Sequence, residues 1–467
     1  MEYGEIDITS LIERYEKMHQ DGQLCYFDVE DFESIISYYL YKNSTERARI
    51  AIDDGMHLHP SSLELKLKLI EVEVEDECWQ NALSLIGEIK SYAFSFKAEI
   101  AVLEARAMLL QQNVDEAIAT IDHLIETHLN VKDIDLQTFA GDLLNVSEYA
   151  HAARYLEFMR KHYGNIGNLL LDLAYCYERL DDRERAIKIY QKYLDENPFS
   201  TLAWFELAKL YEQDRQYGNA IQAYDFVLTI DSAYFDAYCA KADLQIAEGE
   251  HIKAIETLQS LLDEDINNTR ALYVIGECYE KLGSLNDALK SYLQLIEYND
   301  IYADAYYAAA FVLKDLGRIQ ECMSFLKKAT VLEPTSSEYF YGLGKVMMEY
   351  GQYNEAINAF KGALENDKYD FESWLLLAEL YASMDFGKAL SLLEQASDYL
   401  YDIPEISYRI AALYFLTAEM DKCVEHFERA VLLDAEKADG FFDICPAARH
   451  DERIMTVYIN NKIKNSI

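Results

Sequence analysis

The chain has 467 residues, 51% of them apolar, with only five prolines and eighteen glycines. That composition excludes a long disordered or turn-rich polypeptide and supplies ample material for a core. Forty-two Lys and Arg stand against 83 Asp and Glu, a formal charge of -41, which disfavours nucleic-acid phosphates and anionic membrane surfaces and favours basic or neutral partners.

The first residues, MEYGEIDITSLIERYEKMHQ, carry acids where a signal peptide places bases and contain no continuous apolar run. No later segment reaches about eighteen uninterrupted apolar residues, so no membrane span is expected and the expected location is cytoplasmic. Residues 8–19 read as a leading helix. Phe32, Ile35, Ile36, Tyr39, Ala48, Ile52 and Pro60 then mark a pair of amphipathic helices, followed by weaker pairs centred on Ala82, Ala117 and Ala152. From residue 167 the pattern sharpens. Leu170, Leu173, Ala174, Tyr177, Ala186, Tyr190, Tyr193 and Pro198 form one unit; Trp204, Leu207, Ala208, Tyr211, Ala220, Tyr224 and Val227 form the next, thirty-four residues on. The same register continues through Tyr238, Leu272, Tyr306 and Phe340 to residue 370 without an insertion. Trp374, Leu377, Ala378, Tyr381, Ala389, Leu393 and Ala396 make a unit one residue shorter in its internal turn, and Ile410, Ala411, Tyr414, Cys423, Phe427 and Ala430 make another. Residues 438–448 and 452–459 read as closing helices.

These spacings resemble the tetratricopeptide repeat family, whose 34-residue helix-turn-helix unit places a large aromatic, Leu, Gly or Ala, Tyr, Ala, Phe, Ala and Pro in that order. The resemblance implies an all-α fold: a right-handed α-solenoid, or superhelix, of about twelve repeats over residues 29–433 with terminal capping helices. The expected organisation is an N-terminal cap at 1–28, four divergent repeats at 29–166, six regular ones at 167–370, two more at 371–434 and C-terminal capping helices at 435–467. Small residues at positions eight and twenty have a physical reason, since the two helices of a unit cross closely there, as Ala208 and Ala220 illustrate. The N-terminal units depart from the pattern: Lys66 replaces the first large apolar residue, Glu104 a usual Leu, and ETHLNVKDID (126–135) lacks the closing Pro. A looser joint between two solenoid blocks is expected near 126–166, or simply weaker packing.

In this family the first helices line a concave groove through positions two, five, nine and twelve. Carried onto this chain, position five reads Leu171, Phe205, Cys239, Tyr273, Tyr307, Tyr341, Leu375 and Tyr408, five of them aromatic; Tyr175 and Phe311 stand at position nine. Aromatic rings anchor peptides at low entropy cost. A regular aromatic row is equally what packing between units produces, so both readings stay open. The acids Glu178, Glu212, Asp236, Asp243, Glu277, Glu280, Asp304, Glu338, Glu372 and Glu379 outnumber Lys209, Arg270, Lys314 and Lys345 in these positions. The expected ligand is a peptide or helix that is basic and partly apolar, bound in a salt-sensitive way. The candidate groove comprises Tyr175, Glu178, Phe205, Glu212, Asp243, Tyr273, Glu277, Glu280, Tyr307, Phe311, Tyr341, Glu379 and Tyr408. Leu171 with Tyr175, Phe205 with Lys209 and Cys239 with Asp243 do not form the Lys and Asn clamp that some relatives use to hold a terminal carboxylate.

No catalytic constellation is visible. His57 and His59 are two apart and cannot share a helical face, the eight cysteines include no CxxC or CxxxC pair, and Cys322 and Cys423 occupy the small-residue position twenty. Gly342 and Gly344 make a bare GxG inside a helix rather than a phosphate loop. The reading is a non-catalytic protein-binding scaffold with no cofactor and no metal; the alternative is a structural or self-associating subunit of a larger assembly, its oligomeric state open.

Overall fold

The computed structural model describes residues 8–21, 25–127, 133–165 and 168–464. The acidic stretch before Ile8, the centre of the 126–135 connection and Gly167 lie outside the described residues. The chain divides into two compact units, Met1–Ser232 and Ala233–Ile467. That division falls inside the regular block, not near 126–166.

The first unit opens with α1 (Ile8–Asp21), followed by six helix pairs: α2 (Val29–Tyr41) with α3 (Thr45–Leu58), α4 (Leu63–Glu75) with α5 (Trp79–Ile89), α6 (Lys97–Leu110) with α7 (Val114–Glu126), α8 (Asp133–Asn145) with α9 (Tyr149–Tyr163), α10 (Leu169–Arg179) with α11 (Arg183–Glu196), and α12 (Thr201–Gln213) with α13 (Tyr217–Ile230). The second unit holds six more: α14 (Phe235–Ala247) with α15 (His251–Glu264), α16 (Thr269–Lys281) with α17 (Leu285–Tyr298), α18 (Ala303–Asp315) with α19 (Ile319–Leu332), α20 (Ser337–Glu349) with α21 (Tyr353–Asn366), α22 (Phe371–Ala382) with α23 (Phe386–Tyr399), and α24 (Pro404–Leu416) with α25 (Met420–Leu433). It closes with α26 (Asp439–Ile444) and α27 (Glu452–Lys464). Twelve pairs are present among the described residues, without a strand, so each unit is an all-α solenoid segment.

The pairs form because the small positions are buried where two helices cross. Ala208, Ala220, Cys322 and Cys423 are fully buried, and the large residues around them fill the grooves. Gly344 shows the requirement most directly: a Cβ there would lie 2.8 Å from the Phe360 ring. Within eleven pairs the turn contains one left-handed residue, from Asn43 and Glu77 through Gly283 to Ala418. It ends the first helix by closing carbonyls that would otherwise be orphaned: Gly283 N–H donates to Glu280 O at 2.9 Å and Ser284 N–H to Tyr279 O at 2.9 Å. The exception is the α22–α23 pair. One residue shorter, it has no left-handed residue, and Asp385 instead accepts from the Gly387 and Lys388 amides at 2.9 and 3.3 Å.

Packing continues between pairs. In the second unit a long apolar cluster runs from Ala288 to Ile454, with two small ones beside it, Leu272 with Leu295 and Ala305, and Ala303 with Ala329 and Tyr339. In the first, three clusters follow one another: Leu11 to Val72, Leu67 to Ala107, and Val102 to Leu210. At the ends, α1 lays Leu11, Ile12 and Tyr15 on Phe32, Ile35 and Ile36, while Phe441 and Phe442 of α26 cover Phe427. Residues 438–448 are not the single helix expected. The helix stops at Cys445, extended before Pro446, and a 3-10 turn follows (Pro446–His450).

Candidate functional site

First helices present the expected positions, and the second helices behind them decide which side chains remain accessible. On the first unit, Tyr175 of α10 is 42% exposed and meets Tyr149 edge-on with centroids 6.0 Å apart. Glu178, one turn on, faces Glu206 of α12; burial first, and then that second carboxylate, raise its pKa. Lys209 Nζ lies 2.6 Å from Glu206 and 5.8 Å from the Phe205 ring centroid. Phe205 is half-buried against Tyr224, whose hydroxyl donates to Glu212 at 3.2 Å. Tyr175, Glu178, Phe205 and Glu212 therefore belong to one neighbourhood, which Glu206 joins. Position six lies outside the groove pattern, so the sequence reading missed it.

On the second unit the aromatic row is largely a seam between successive pairs. The Tyr307 ring packs on Phe311 and Tyr339, with centroids 5.0 and 4.8 Å away, and covers Gly342 of the next first helix, where a Cβ would lie 2.8 Å from it. Burial pushes its hydroxyl up to about 12. Tyr273 leans on Tyr292 and on Tyr302 at the start of the next pair. Tyr341 donates to Glu372 of the following first helix at 2.6 Å. Tyr408 is 3% exposed and donates to Asp434 O at 2.8 Å, so its ring offers nothing to a ligand. Among the expected anchors this one is corrected: α26 and its preceding turn close over α24, and position five there becomes core.

Many carboxylates counted toward an acidic groove already have partners. Asp243 pairs with Arg270 at 3.3 Å, Glu379 with Arg409 at 3.6 Å, Glu280 accepts from Tyr292 at 2.5 Å, and Asp304 accepts from Tyr339. Glu277 differs. It is exposed, and burial of its surroundings followed by the neighbouring Glu280 charge raises its pKa. Glu178 beside Glu206, and Glu277 beside Glu280, are thus expected site acids held close to another carboxylate.

A feature missed altogether lies on the divergent helices. Arg106 of α6, 8% exposed at its side chain, bonds Glu75 of α4 at 2.7 Å and Asp142 of α8 at 2.5 Å, linking three successive first helices. Glu104, at the unusual position for an acid, accepts from Lys90 through both oxygens at 2.7 Å.

Burial raises the thiol of Cys176 and that of Cys423 to about 12, and those of Cys278, Cys322 and Cys445 to about 11, far from thiolate chemistry at neutral pH. His57 Nδ1 lies 2.7 Å from Asp53 O and His59 Nε2 3.0 Å from Phe27 O, separate local contacts. Among the described residues no group of three or more His, Cys, Asp or Glu is placed to hold a metal, and no helix is long and apolar enough to cross a membrane.

Family models for the tetratricopeptide repeat match residues 167–210 and 303–336, and the model for anaphase-promoting complex, cyclosome, subunit 3 matches 213–295. The TPR repeat-containing protein YpiA of Bacillus subtilis (strain 168) is 22% identical over 338 residues, covering 71% of this chain and 78% of YpiA. Human tetratricopeptide repeat protein 21B is 21% identical over 420 residues, 84% of this chain but 30% of its own length. This chain therefore spans less than a third of that longer relative. Among solved structures, the C-terminal part of a TPR repeat-containing protein from Cytophaga hutchinsonii aligns with 51% of this chain and 97% of its own, at 16% identity and a TM-score of 0.44. With its helix pairs in 34-residue register and family models falling on them, this chain carries tetratricopeptide repeats, matched at residues 167–210 and 303–336.

Proposed function

We propose that the chain is a non-catalytic scaffold that holds a basic, partly apolar segment of another protein on its first-helix surface. Tetratricopeptide repeats are protein-interaction scaffolds, and the finer reading rests on one observation: Glu178, half-buried and facing Glu206, sits next to the exposed Tyr175 ring. On the second unit the exposed Glu277 likewise has a second carboxylate, Glu280, beside it. Crowded carboxylates are relieved by an incoming Lys or Arg, and an adjacent ring receives its alkyl stem or an apolar neighbour.

Fluorescence polarisation of the full-length protein with a short labelled Lys/Leu peptide tests this reading. Binding should weaken at high salt and as pH falls through the raised carboxyl range, because protonation removes the charge that attracts the peptide. Glu178→Gln with Glu277→Gln should weaken it about tenfold, the scale of one or two partly buried charge contacts. Each raised carboxyl opposes folding at neutral pH and ceases to do so once protonated, so the Gln variants should be no less stable. A Glu/Leu peptide bound equally well would overturn the proposal. So would an equal loss when Glu355 and Glu425, exposed on second helices, become Gln, since net charge alone would then explain binding. A protein that self-associates and takes up neither peptide would favour the structural-subunit reading.

A further inference from the structure

Among the described residues three clefts are walled alike, by the end of a second helix, the next first helix and the second helix that follows. In two of them the wall residue at position four is a tryptophan that fills the space. Trp204 stacks on Phe226, with centroids 4.3 Å apart and planes 18° from parallel, and its indole N–H donates to Pro198 O at 2.9 Å. Trp374 stacks on Tyr399 at 6.4 Å and 20°, its N–H donating to Lys368 O at 2.9 Å. These clefts retain cavities of 310 and 280 Å³.

The third lies between α5, α6 and α7. Several of its wall residues share the register of the Trp204 cleft: Ala101 stands in the register of Trp204, Met108 in that of Tyr211, and His123 in that of Phe226. Here the large ring is missing and the cavity is 680 Å³, about twice as large. Ile100 and Leu124 form an apolar floor, buried to 3% and 2% exposure, and the Lys90–Glu104 pair closes one side at 2.7 Å. The 3-10 turn Phe94–Phe96 stands at the rim, with Phe94 80% exposed. A small residue at position four does not by itself open such a space. Ser407 occupies the same position in α24 and is 2% exposed.

An apolar cavity of this size is favourable for a ring that brings its own dispersion contacts and displaces poorly bonded water. The other two clefts show which ring the walls accept. We propose that the cleft beside Ala101 binds a planar aromatic ring of about indole size, inserted where Trp204 and Trp374 lie in their own clefts and stacked on His123. The ring is carried by a free small molecule or by a tryptophan side chain of a bound polypeptide, and the chemistry of the seat is the same for both.

Fluorine NMR of 5-fluoroindole with the full-length protein tests the site, in parallel with a short Gly/Ser peptide bearing one 5-fluorotryptophan. Saturable binding of at least one probe is expected. Ala101→Trp, which supplies the chain's own ring, should abolish it while leaving the protein at least as resistant to heat. His123→Ala should weaken it about three- to tenfold, the range of one lost stacking contact, and remains informative should the tryptophan variant fail to fold. Binding of fluoroindole alone supports a free molecule, whereas tighter binding of the peptide, lost in the same variants, supports a polypeptide. No saturable binding of either probe, or binding that survives both substitutions unchanged, overturns the proposal.

Discussion

The helix pairs of the first unit and those of the second share a length, a register and a turn, yet are held together differently. In the second unit one long apolar cluster passes through pair after pair from Ala288 to Ile454, with rings such as Tyr292, Phe360 and Phe427 fully buried, and two small clusters, around Leu272 and around Ala303, lie beside it. In the first, no cluster extends so far, and the charged bridges at the junctions are more buried and shared than the second unit's single exposed pairs such as Asp243 with Arg270: Arg49 holds Glu73 and Asp76, and Arg106 holds Glu75 and Asp142. The turns differ too. Four of the left-handed turn residues in the second unit are glycines, whereas all six in the first carry a side chain, including Glu77, Gln112 and Arg215. One backbone geometry is thus reached with and without local strain, and weak repeats still pair because tertiary contacts outweigh it.

The largest effect expected from this contrast is in the continuous core. Phe427→Ala should lower stability by about 3–5 kcal/mol, since a fully buried ring leaves a cavity at the contact with Phe441 and Phe442, and lost hydrogen-exchange protection should centre on α24 to α26. Arg106→Met should destabilise by roughly 3 kcal/mol by leaving two carboxylates without their shared cation, and here the exchange pattern carries the comparison. The loss should spread over α4, α6 and α8; confinement to α6 would show that the bridges contribute little between pairs. Smallest are the turn substitutions, which should have opposite signs in urea denaturation. Gly283→Ala should destabilise by about 1 kcal/mol, whereas Gln112→Gly, relieving a strained side-chain-bearing turn, should stabilise by roughly 0.5 kcal/mol.

Much of the fold was legible because burial recurs every thirty-four residues: Ala208, Ala220, Cys322 and Cys423 report helix crossings from sequence alone. Even the shorter turn before Phe386 was visible as a change in spacing. The candidate surface was less legible because accessibility at position five depends on the next pair. Tyr341 finds Glu372 thirty-one residues away, Tyr307 is needed above Gly342, and Tyr408 is covered by an end segment whose docking no local pattern announces. Counting acids likewise overstated the field, since charge can be counted along a chain but hydrogen-bond partners cannot. The enlarged cleft required knowing that Ala101 shares its register with Trp204, in a region where the repeat pattern is faint.

Repeat arrays are commonly treated as interchangeable copies, each answering only to its immediate neighbours. The Arg106 bridge departs from that independence, because a single guanidinium draws on the copy before it and the copy after it. Deleting either flanking copy, or duplicating the central one, would leave a charged group without its counterpart. Modularity should therefore be lowest at this point in the chain, and a shortened or lengthened version of the protein is best cut where the pairs meet through apolar side chains alone.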